Sequence, residues 1–482
     1  MIFNSLTYLI FLSSIVILYW SLPLKPRLYL IFLASLVFYG FWRVEFIPVM
    51  LISVITDYFL ALKIASSERI RKKQLLILSL FINIGLLFYF KYLIFFSDNA
   101  IGFANLLGIT VNPILLNIIL PLGISFYTFQ TISYTVDVYR NQINPEKNFI
   151  LYACYVIFFP QLIAGPVLRA SEVIYQFSKR PPFKWEFIVV GLRRIIYGIF
   201  LKVVIADNIA PLVDSGFSIP IEILSALDVW TLGFLFGFQI YFDFSAYSHI
   251  ALGSARLMGI KFPENFNFPY LANSPKDFWR RWHISLSSWI RDYLYLPLAG
   301  IKVGSQSLGG LEKATLNKNK NKPLFIAWAI MGLWHGANWT FVLWGVYHAV
   351  VIFIYRIMLP ITSKFNQNLK LFGGIFLTLP IMMLSWIPFR AQSISDVFYM
   401  WSKVFNPYSY ASLGMKENTY LITACLLISI FITWTVKNKL LPIFTKNKKV
   451  VLVCGEILVF SVLISLIIIF LRPINQFIYF QF

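Results

Sequence analysis

Residues 331–345 read MGLWHGANWTFVLWG, and residues 275–298 read PKDFWRRWHISLSSWIRDYLYLPL. The first of these stretches places His335 near the middle of a run that is apolar enough to cross a membrane. An ionisable side chain at that depth is costly to place, so it marks a functional site by default. Imidazole gains and loses a proton near neutral pH, and the four histidines of the chain all lie between residues 249 and 348. This combination is typical of a membrane enzyme.

The composition indicates an all-α, polytopic integral membrane protein. Hydrophobic residues make up 59% of the 482 residues and charged residues 13%, whereas soluble domains carry about 25% charged residues. Apolar runs of about 20 residues, long enough to span ~30 Å of hydrocarbon, recur from end to end. We therefore predict a single transmembrane domain over residues 1–482. The net charge of +21 does not predict a nucleic-acid partner, because the basic residues lie in short loops between apolar runs.

The apolar runs predict eleven to thirteen crossings, with re-entrant or amphipathic helices between them. The candidate spans are Ile2–Leu22, Leu28–Trp42, Phe46–Ala65, Leu75–Phe96, Asn112–Val136, Phe149–Leu168, Phe187–Ile205, Ala226–Met258, Leu324–Met358, Leu371–Phe389, Tyr420–Val436 and Val450–Leu471. Two of them exceed a single crossing, which predicts a tilt, a break or a pair of helices. The stretch FFPQLIAGPVLRASE (158–172) predicts a re-entrant or buried broken helix. Residues 301–322 form the longest polar stretch and predict a basic cytoplasmic loop.

The His335 block offers the parts of a proton-transfer site. On a continuous helix His335 and Trp339 would share a face, with Asn338 beside them. That face would present a base, an amide donor and an aromatic wall, to which the neighbouring Trp334 adds. The alternative is a polar contact between helices, because His and Asn also join membrane bundles. The tryptophans and the second histidine block favour a functional site.

The His283 block is too polar for a spanning helix. Its aromatic and apolar residues, among them Trp282, recur at helical spacing and predict a helix that lies at the membrane interface or is packed inside a cavity. Without His283 the stripe would be read as an amphipathic anchor. The adjacent Arg280 and Arg281 fit an anionic group such as a phosphate or carboxylate, and equally fit lipid headgroups.

A third polar set lies on a predicted span. Gln239, Asp243 and Tyr247 form an i, i+4, i+8 row. A carboxylate in a span needs a partner, and we expect a His or Arg of the other blocks. A structural pairing is the favoured role of Asp243, and support of a substrate site is the alternative. His348 lies in ordinary apolar sequence and is interpreted as a satisfied core histidine.

The sequence lacks the motifs of several common enzyme mechanisms. It contains no GxSxG elbow, Walker loop, HExxH motif or cysteine cluster in the context that its mechanism requires. We therefore predict no metal site and no bound cofactor. Acid–base chemistry on substrates that the protein positions is what remains.

Over nearly its whole length the chain resembles the membrane-bound O-acyltransferases, and within them the branch of alginate O-acetylation. Both histidine blocks resemble that branch, and so do LPLGISFYTFQTISYTVDVYR (120–140), FFPQLIAGPVLR (158–169), KVVIADNIAP (202–211), FPENFNFPYLA (262–272) and FIYFQF (477–482). The resemblance implies a ring of helices around a thinned centre. It further implies that His335 is the catalytic base and His283 a second active-site residue. The chain departs from the family pattern at FSAYSH (244–249) and at LPLAGIKVG (296–304), so no family role is carried onto His249.

From these features we expect an O-acyltransferase in the inner (cytoplasmic) membrane of a bacterium, crossing it many times and surrounded by lipid. Its donor would be a cytoplasmic thioester, either acyl-CoA such as acetyl-CoA or an acyl-carrier protein. Its acceptor would be a hydroxyl of a cell-surface or exported polysaccharide, reached directly or by relay to a separate periplasmic or extracellular transferase. The alternatives are a transporter or flippase without acyl-transfer chemistry, and an acyltransferase for teichoic acid or lipid.

Overall fold

The computed structural model describes residues 1, 3–111, 118–163, 165–179, 181–301, 321–362, 364, 366–436, 449–472 and 477–478. Within these residues every regular element is a helix, which confirms the all-α prediction. The basic loop predicted for residues 301–322 falls almost entirely outside them.

The structure describes 22 α-helices along the chain. They are α1 (Leu6–Ser21), α2 (Leu24–Gly40), α3 (Ile47–Ser66), α4 (Arg69–Leu87), α5 (Leu93–Leu106), α6 (Ile124–Tyr139), α7 (Phe149–Ile157), α8 (Phe159–Leu162), α9 (Ala170–Phe177), α10 (Trp185–Phe200), α11 (Asp207–Phe217), α12 (Ala226–Leu257), α13 (Pro275–Trp279), α14 (Ile284–Trp289), α15 (Leu296–Leu298), α16 (Asn321–His335), α17 (Trp339–Thr362), α18 (Gln367–Leu384), α19 (Trp386–Arg390), α20 (Ile394–Phe405), α21 (Glu417–Thr435) and α22 (Lys449–Ile469). Turns of π-helix cover Phe88–Tyr92, Leu201–Ala206 and Ile290–Tyr295.

Among the described residues five helical segments are long and apolar enough to cross a membrane. They are Val44–Ser66, Arg69–Leu106, Trp339–Thr362, Phe372–Arg390 and Glu417–Thr435. Their length and composition fit the membrane assignment. The total of eleven to thirteen crossings stays a prediction.

The two overlong apolar runs have different structures. Residues 226–257 form one unbroken helix, α12. The run at 324–358 is divided, because α16 ends at His335 and α17 begins at Trp339. The predicted break is therefore confirmed in the run that carries the histidine.

The Pro- and Gly-rich stretch that begins at Phe158 is a buried broken helix. It holds one turn, α8, followed by irregular backbone whose described residues up to Leu168 are buried. Gly123 lies against it: a Cβ there would be 2.4 Å from the carbonyl oxygen of Leu162, and its φ is +72°. Glycine supplies both the close approach and the left-handed backbone.

The described residues divide into two compact units. The first contains residues 1–192, 250–263 and 288–301, and the second contains residues 193–249, 264–287 and the described residues from 321 onward. The single domain expected from the sequence stays a prediction.

A buried polar network joins α3, α4 and α6 in the first unit. The carboxylate of Asp57 accepts hydrogen bonds from the Ser79 hydroxyl (2.6 Å) and from the Asn83 amide (2.7 Å). The amide oxygen of Asn83 in turn accepts from Ser53 (2.6 Å) and Thr131 (3.1 Å). Hydrogen bonds between helices are a common means of association where lipid removes the hydrophobic driving force.

Backbone contact joins α16 and α17 in the second unit. A Cβ on Gly332 would lie 2.1 Å from the carbonyl oxygen of Phe341, and a Cβ on Gly345 would lie 2.1 Å from that of Trp328. Small residues let helices approach this closely in membranes. The contact fixes the end of α16, where His335 lies, against α17.

Candidate active site

His335 is buried among aromatic rings at the C-terminal end of α16. Its ring centroid lies 4.9 Å from those of Trp334 and Trp344 and 5.2 Å from that of Phe389. Each ring meets the imidazole edge to face, which is a preferred aromatic geometry. An imidazole in such a shell works in a medium of low dielectric, where electrostatic effects on a reaction are strong.

The predicted face of His335, Asn338 and Trp339 does not exist, because the helix stops at the histidine. Asn338 is exposed, and its side-chain oxygen accepts a hydrogen bond from the backbone N–H of Thr340. That geometry is typical of an N-cap, here for α17. Trp339 is also exposed. The aromatic wall of His335 comes from Trp344 and Phe389 instead.

His283 lies at a break between two short helices. α13 ends at Trp279 and α14 begins at Ile284, and His283 itself has a φ of +40°. The continuous helix predicted for this block is therefore wrong. Burial of its stripe, including Phe278 and Leu286, agrees with the packed alternative and not with an anchor at the interface.

Hydrogen bonds hold the buried imidazole of His283 from one side. Its Nδ1 lies 3.2 Å from the side-chain oxygen of Asn265. The same oxygen accepts from the backbone N–H of Ser285 (3.3 Å) and from the Ser285 hydroxyl (2.9 Å), while the Asn265 amide nitrogen donates to Ser248 (3.3 Å). No hydrogen-bond partner for Nε2 of His283 occurs among the described residues.

Burial also sets the charge of this group. Loss of solvation lowers the pKa of His283 to about 3, because the charged imidazolium is the form that burial disfavours. The ring is therefore neutral at the pH of a cell.

The two histidines are brought together by one indole. The ring of Trp334 lies 6.5 Å from that of His283 and 4.9 Å from that of His335. All three residues belong to the second unit. We call His283, Trp334, His335, Trp344 and Phe389 the imidazole cluster.

The sequence profile of the membrane-bound O-acyltransferase family matches residues 142–389, a range that contains both histidines of the cluster. The chain is 36% identical over 436 residues to the probable alginate O-acetylase AlgI of Azotobacter vinelandii, covering 89% of this chain and 83% of that protein. The chain belongs to the membrane-bound O-acyltransferase family.

Two further relatives are named for substrates other than alginate. A peptidoglycan O-acetyltransferase of Helicobacter pylori is 38% identical over 401 residues, covering 78% of this chain and 72% of that protein. A teichoic acid D-alanyltransferase of Streptococcus thermophilus is 28% identical over 302 residues, covering 58% of this chain and 70% of that protein. The chain is thus an O-acyltransferase and a membrane protein with bacterial relatives.

Trp282 lies at the edge of the imidazole cluster of this acyltransferase. Its buried ring stacks on Phe278 at 5.7 Å and lies 4.8 Å from Trp386. The Trp386 ring is 6.3 Å from that of Trp344. The indole N–H groups of Trp344 and Trp386 are buried, and neither has a hydrogen-bond partner within the described part of the chain.

Arg280 and Arg281, which fit an anionic group and lipid headgroups equally well by sequence, are not part of the imidazole cluster. Arg280 is exposed. Arg281 pairs with Asp277, one helical turn away, at 2.9 Å. Binding of an anionic group by these arginines stays a prediction.

Asp243 of the acyltransferase has a different partner from the one expected. Its carboxylate lies 2.9 Å from Nζ of Lys202, which also contacts Asp207 at 2.9 Å. The backbone N–H of Ile478 donates to the second oxygen of Asp243 at 2.9 Å. The expectation of a His or Arg partner was wrong, because the partner is a lysine in the π-helical turn that follows α10.

His348 is buried but is not the satisfied core histidine that the sequence predicts. Neither ring nitrogen has a hydrogen-bond partner among the described residues. Its ring instead lies 4.7 Å from that of Trp344 and 4.9 Å from that of Trp279. Aromatic contacts thus replace the hydrogen bonds that were expected.

Sequence reasoning missed three residues of the site. Asn265 lies within FPENFNFPYLA, a stretch noted for its family resemblance without a role for its side chain. Trp344 lies within the His335 block itself, nine residues after the histidine. Phe389 ends an apolar run and gave no signal that distinguishes it from its neighbours.

Proposed function

We propose that this O-acyltransferase moves an acyl group, acetyl in the first instance, from a cytoplasmic thioester to hydroxyls of a cell-surface or exported polysaccharide. Acyl-CoA and an acyl-carrier protein are the two donor classes. The names of the alginate and peptidoglycan relatives support a polysaccharide acceptor and an acetyl group. We place the protein in the inner membrane as a multi-pass enzyme.

The observation that carries the proposal is the imidazole cluster. In the proposed reaction His335 is the general base, and it takes the proton of the acceptor hydroxyl as that oxygen attacks the thioester carbonyl. The tetrahedral intermediate then collapses, the carbon–sulfur bond breaks, and the thiolate takes the proton from the imidazolium. The products are the ester and the free thiol. These reaction steps do not require a covalent acyl-enzyme intermediate.

Charge on the carbonyl oxygen needs a hydrogen-bond donor. The exposed, helix-capping position of Asn338 speaks against that side chain as the donor. The buried N–H groups of Trp344 and Trp386 are better candidates, since they lie beside the cluster and find no partner among the described residues. A donor of this kind typically contributes about 10²–10³ in rate.

His283 is proposed as the second active-site residue, which orients the acceptor or shares its proton. Its neutral ring presents Nε2 without a described partner, so that nitrogen is available to a substrate hydroxyl. Both imidazole rings contact the indole of Trp334, and we propose that one acceptor is bound by both histidines.

The test is the O-acyl content of cell-surface polysaccharide, measured by NMR of purified glycan. We expect ester signals in wild type and none in a deletion strain or in His335→Ala, because loss of a general base costs about 10²–10⁴ in rate. His249→Ala is the matched control. His249 lies partly exposed beside Arg194, at 3.2 Å, and is not a member of the cluster.

Membrane abundance of each variant is measured alongside the glycan. If esters persist in His335→Ala but not in the deletion strain, His335 is not the general base. The protein would then be needed for transport or assembly of the polysaccharide. Loss of esters in His249→Ala at normal abundance would show that the effect is not specific to the cluster.

Direct transfer and relay are separated with purified protein. Acetyl-CoA labelled in the acetyl group is added with de-acetylated glycan, alone or with a periplasmic extract. Label in the glycan without the extract supports direct transfer. Label that appears only with the extract supports relay through a separate transferase.

A further inference from the structure

We propose that Asn265 is a positioning residue that fixes the tautomer of His283, so that Nε2 carries the lone pair facing the substrate. The inference rests on the proposed function, because it assigns a role within the same site. Asn265 lies 18 positions before His283 in the chain, and the geometry of its hydrogen bonds supports this role.

The orientation of the Asn265 amide follows from its donors. One of the groups that reach its side-chain oxygen is the backbone N–H of Ser285, at 3.3 Å. A backbone N–H can only donate. The atom it meets must therefore be the amide oxygen, and the amide nitrogen is the atom that faces the Ser248 hydroxyl at 3.3 Å.

The tautomer of His283 follows from that orientation. An amide oxygen carries no hydrogen, so the contact of 3.2 Å between it and Nδ1 exists only if Nδ1 bears the proton. A neutral imidazole has one N–H and one lone pair. The lone pair is consequently on Nε2, the nitrogen that has no partner among the described residues.

The backbone makes this arrangement rigid. The carbonyl oxygen of Asn265 accepts from the N–H of Ile284 at 3.0 Å, so Asn265 contacts three consecutive residues around the histidine. His283 holds a left-handed backbone at φ +40°. Residues in that region persist where their surroundings over-determine them, and they concentrate at functional sites.

The burial of Asn265 argues against a role in solubility or surface recognition. It is 1% exposed, and a buried amide is costly unless its polar atoms are paired. Its described bonds run to the histidine, to the two residues that follow it and to Ser248. For histidines that bind a metal ion, loss of the partner on the second nitrogen typically costs about 10–100-fold in affinity or activity, and we expect a loss of the same order for this histidine.

The experiment compares Asn265→Leu, Asn265→Asp and the control Asn267→Leu. Asn267 lies two residues away and is exposed. Membranes from the source strain, which hold the native acceptor, receive acetyl-CoA or acetyl-carrier protein labelled in the acetyl group. The readout is the rate of label entering polymer as a function of pH, normalised to the amount of acyltransferase.

We expect Asn265→Leu to lose about 10–100-fold in rate, because both tautomers then become accessible. Asn265→Asp should keep the proton on Nδ1 and therefore lose less rate than Asn265→Leu at pH 7. Its carboxylate would raise the pKa of His283 from about 3 by about 1–3 units, so the acid limb of its profile should move to higher pH. A residue that only supports packing would not move that limb. Asn267→Leu should match wild type.

Several outcomes would overturn the inference while leaving the proposed function intact. Wild-type activity in Asn265→Leu, or an acid limb that does not move in Asn265→Asp, would show that Asn265 does not set the state of the histidine. By contrast, wild-type membranes that incorporate no label from either donor would contradict the proposed function itself. Measurement of protein amount and thermal stability separates loss of rate from loss of folding.

Discussion

Two different environments hold the imidazoles of this acyltransferase. Aromatic rings surround His335, whereas hydrogen bonds from one side and a left-handed backbone fix His283. Both histidines could be singled out as candidates from the sequence, because a titratable ring is rare in apolar surroundings. Asn265 could not, because its pairing depends on a chain reversal that brings residues 18 positions apart into contact.

Replacement of Trp344 by Phe tests the donor role of its indole. The change keeps an aromatic ring beside His335 and removes one N–H, so we expect the rate of acyl transfer per folded protein to fall about 10²-fold. The smaller ring also leaves a cavity at this buried position, so the loss of stability is measured separately. Trp339→Phe is the matched control, because Trp339 lies on the same helix and is half exposed. Equal rates in both variants, measured as label transferred from acetyl-CoA, would exclude the indole as the donor.

A buried ion pair in the first unit makes stability depend on pH. The Asp292 carboxylate lies 2.5 Å from Arg169 and 2.6 Å from Arg291. Burial alone would raise the pKa of Asp292, but the hydrogen bonds and charges of Arg291 and Arg169 hold it below its usual value. A carboxyl with a lowered folded-state pKa stabilises the protein above its unfolded pKa of about 3.9, and this contribution is lost as the pH falls through the folded value.

We therefore expect Asp292→Asn to lower the aggregation temperature of detergent-purified protein at pH 7. The difference from wild type should persist down to about pH 4 and narrow below it. Asp214→Asn is the control, since Asp214 pairs with Arg390 on the surface, where ion pairs contribute about 0–1 kcal/mol. If both substitutions lowered the aggregation temperature equally at pH 7, the buried ion pair of Asp292 would not be the source of the stabilisation.

The break between α16 and α17 decides where the His335 side chain lies. The sequence HGANW contains the signals of a helix end and a new start, a Gly after the last residue and an Asn before the next. A period of 3.6 residues carried through them wrongly predicted one face for His335 and Asn338. The long run at 226–258 contains glycines but no Gly that is followed within two residues by an Asn, and it is continuous. Capping residues were thus more informative than apolar length.

Gly345→Ala tests the backbone contact between these helices. The added Cβ would lie 2.1 Å from the Trp328 carbonyl oxygen, so the helices must separate. We expect the free energy of unfolding to fall by about 1–3 kcal/mol. The rate of acyl transfer per folded protein should also fall, because His335 moves relative to Trp344. Gly85→Ala, on α4 with open space around its Cβ, should behave as wild type. Thermal aggregation and label transfer are the measurements, and a tolerated Gly345→Ala would show that the contact does not position the histidine.

Large apolar side chains are exposed on the candidate spans. Phe81 and Phe376 are each 75% exposed, which fits a surface that faces lipid. Composition alone predicted this membrane character and the all-α fold. It could not predict how the helices divide into units or which polar residues meet, because such pairings depend on three-dimensional packing and lie far apart in sequence.

Thiol labelling checks the lipid assignment. Cys425 lies on the candidate span α21 and Cys454 on the apolar helix α22, and both are exposed. If those helices face lipid, a membrane-impermeant maleimide added to both sides of the membrane should not label either thiol, because the reactive thiolate does not form in hydrocarbon. Ser178→Cys, at an exposed position after α9, should label at once. Fast labelling of Cys425 in intact membranes would place that helix in water.

The left-handed backbone at His283 bears on any effort to make this enzyme more robust. Glycine adopts a φ of +40° more easily than histidine, which is tolerated there at a cost of about 1–2 kcal/mol. Replacement by glycine would relieve that backbone cost, but it would also remove the contact between Nδ1 and the buried amide of Asn265, and a buried amide without its partners is costly. Under the proposed function, a library for directed evolution should therefore leave this position unchanged, whatever a thermostability screen selects there.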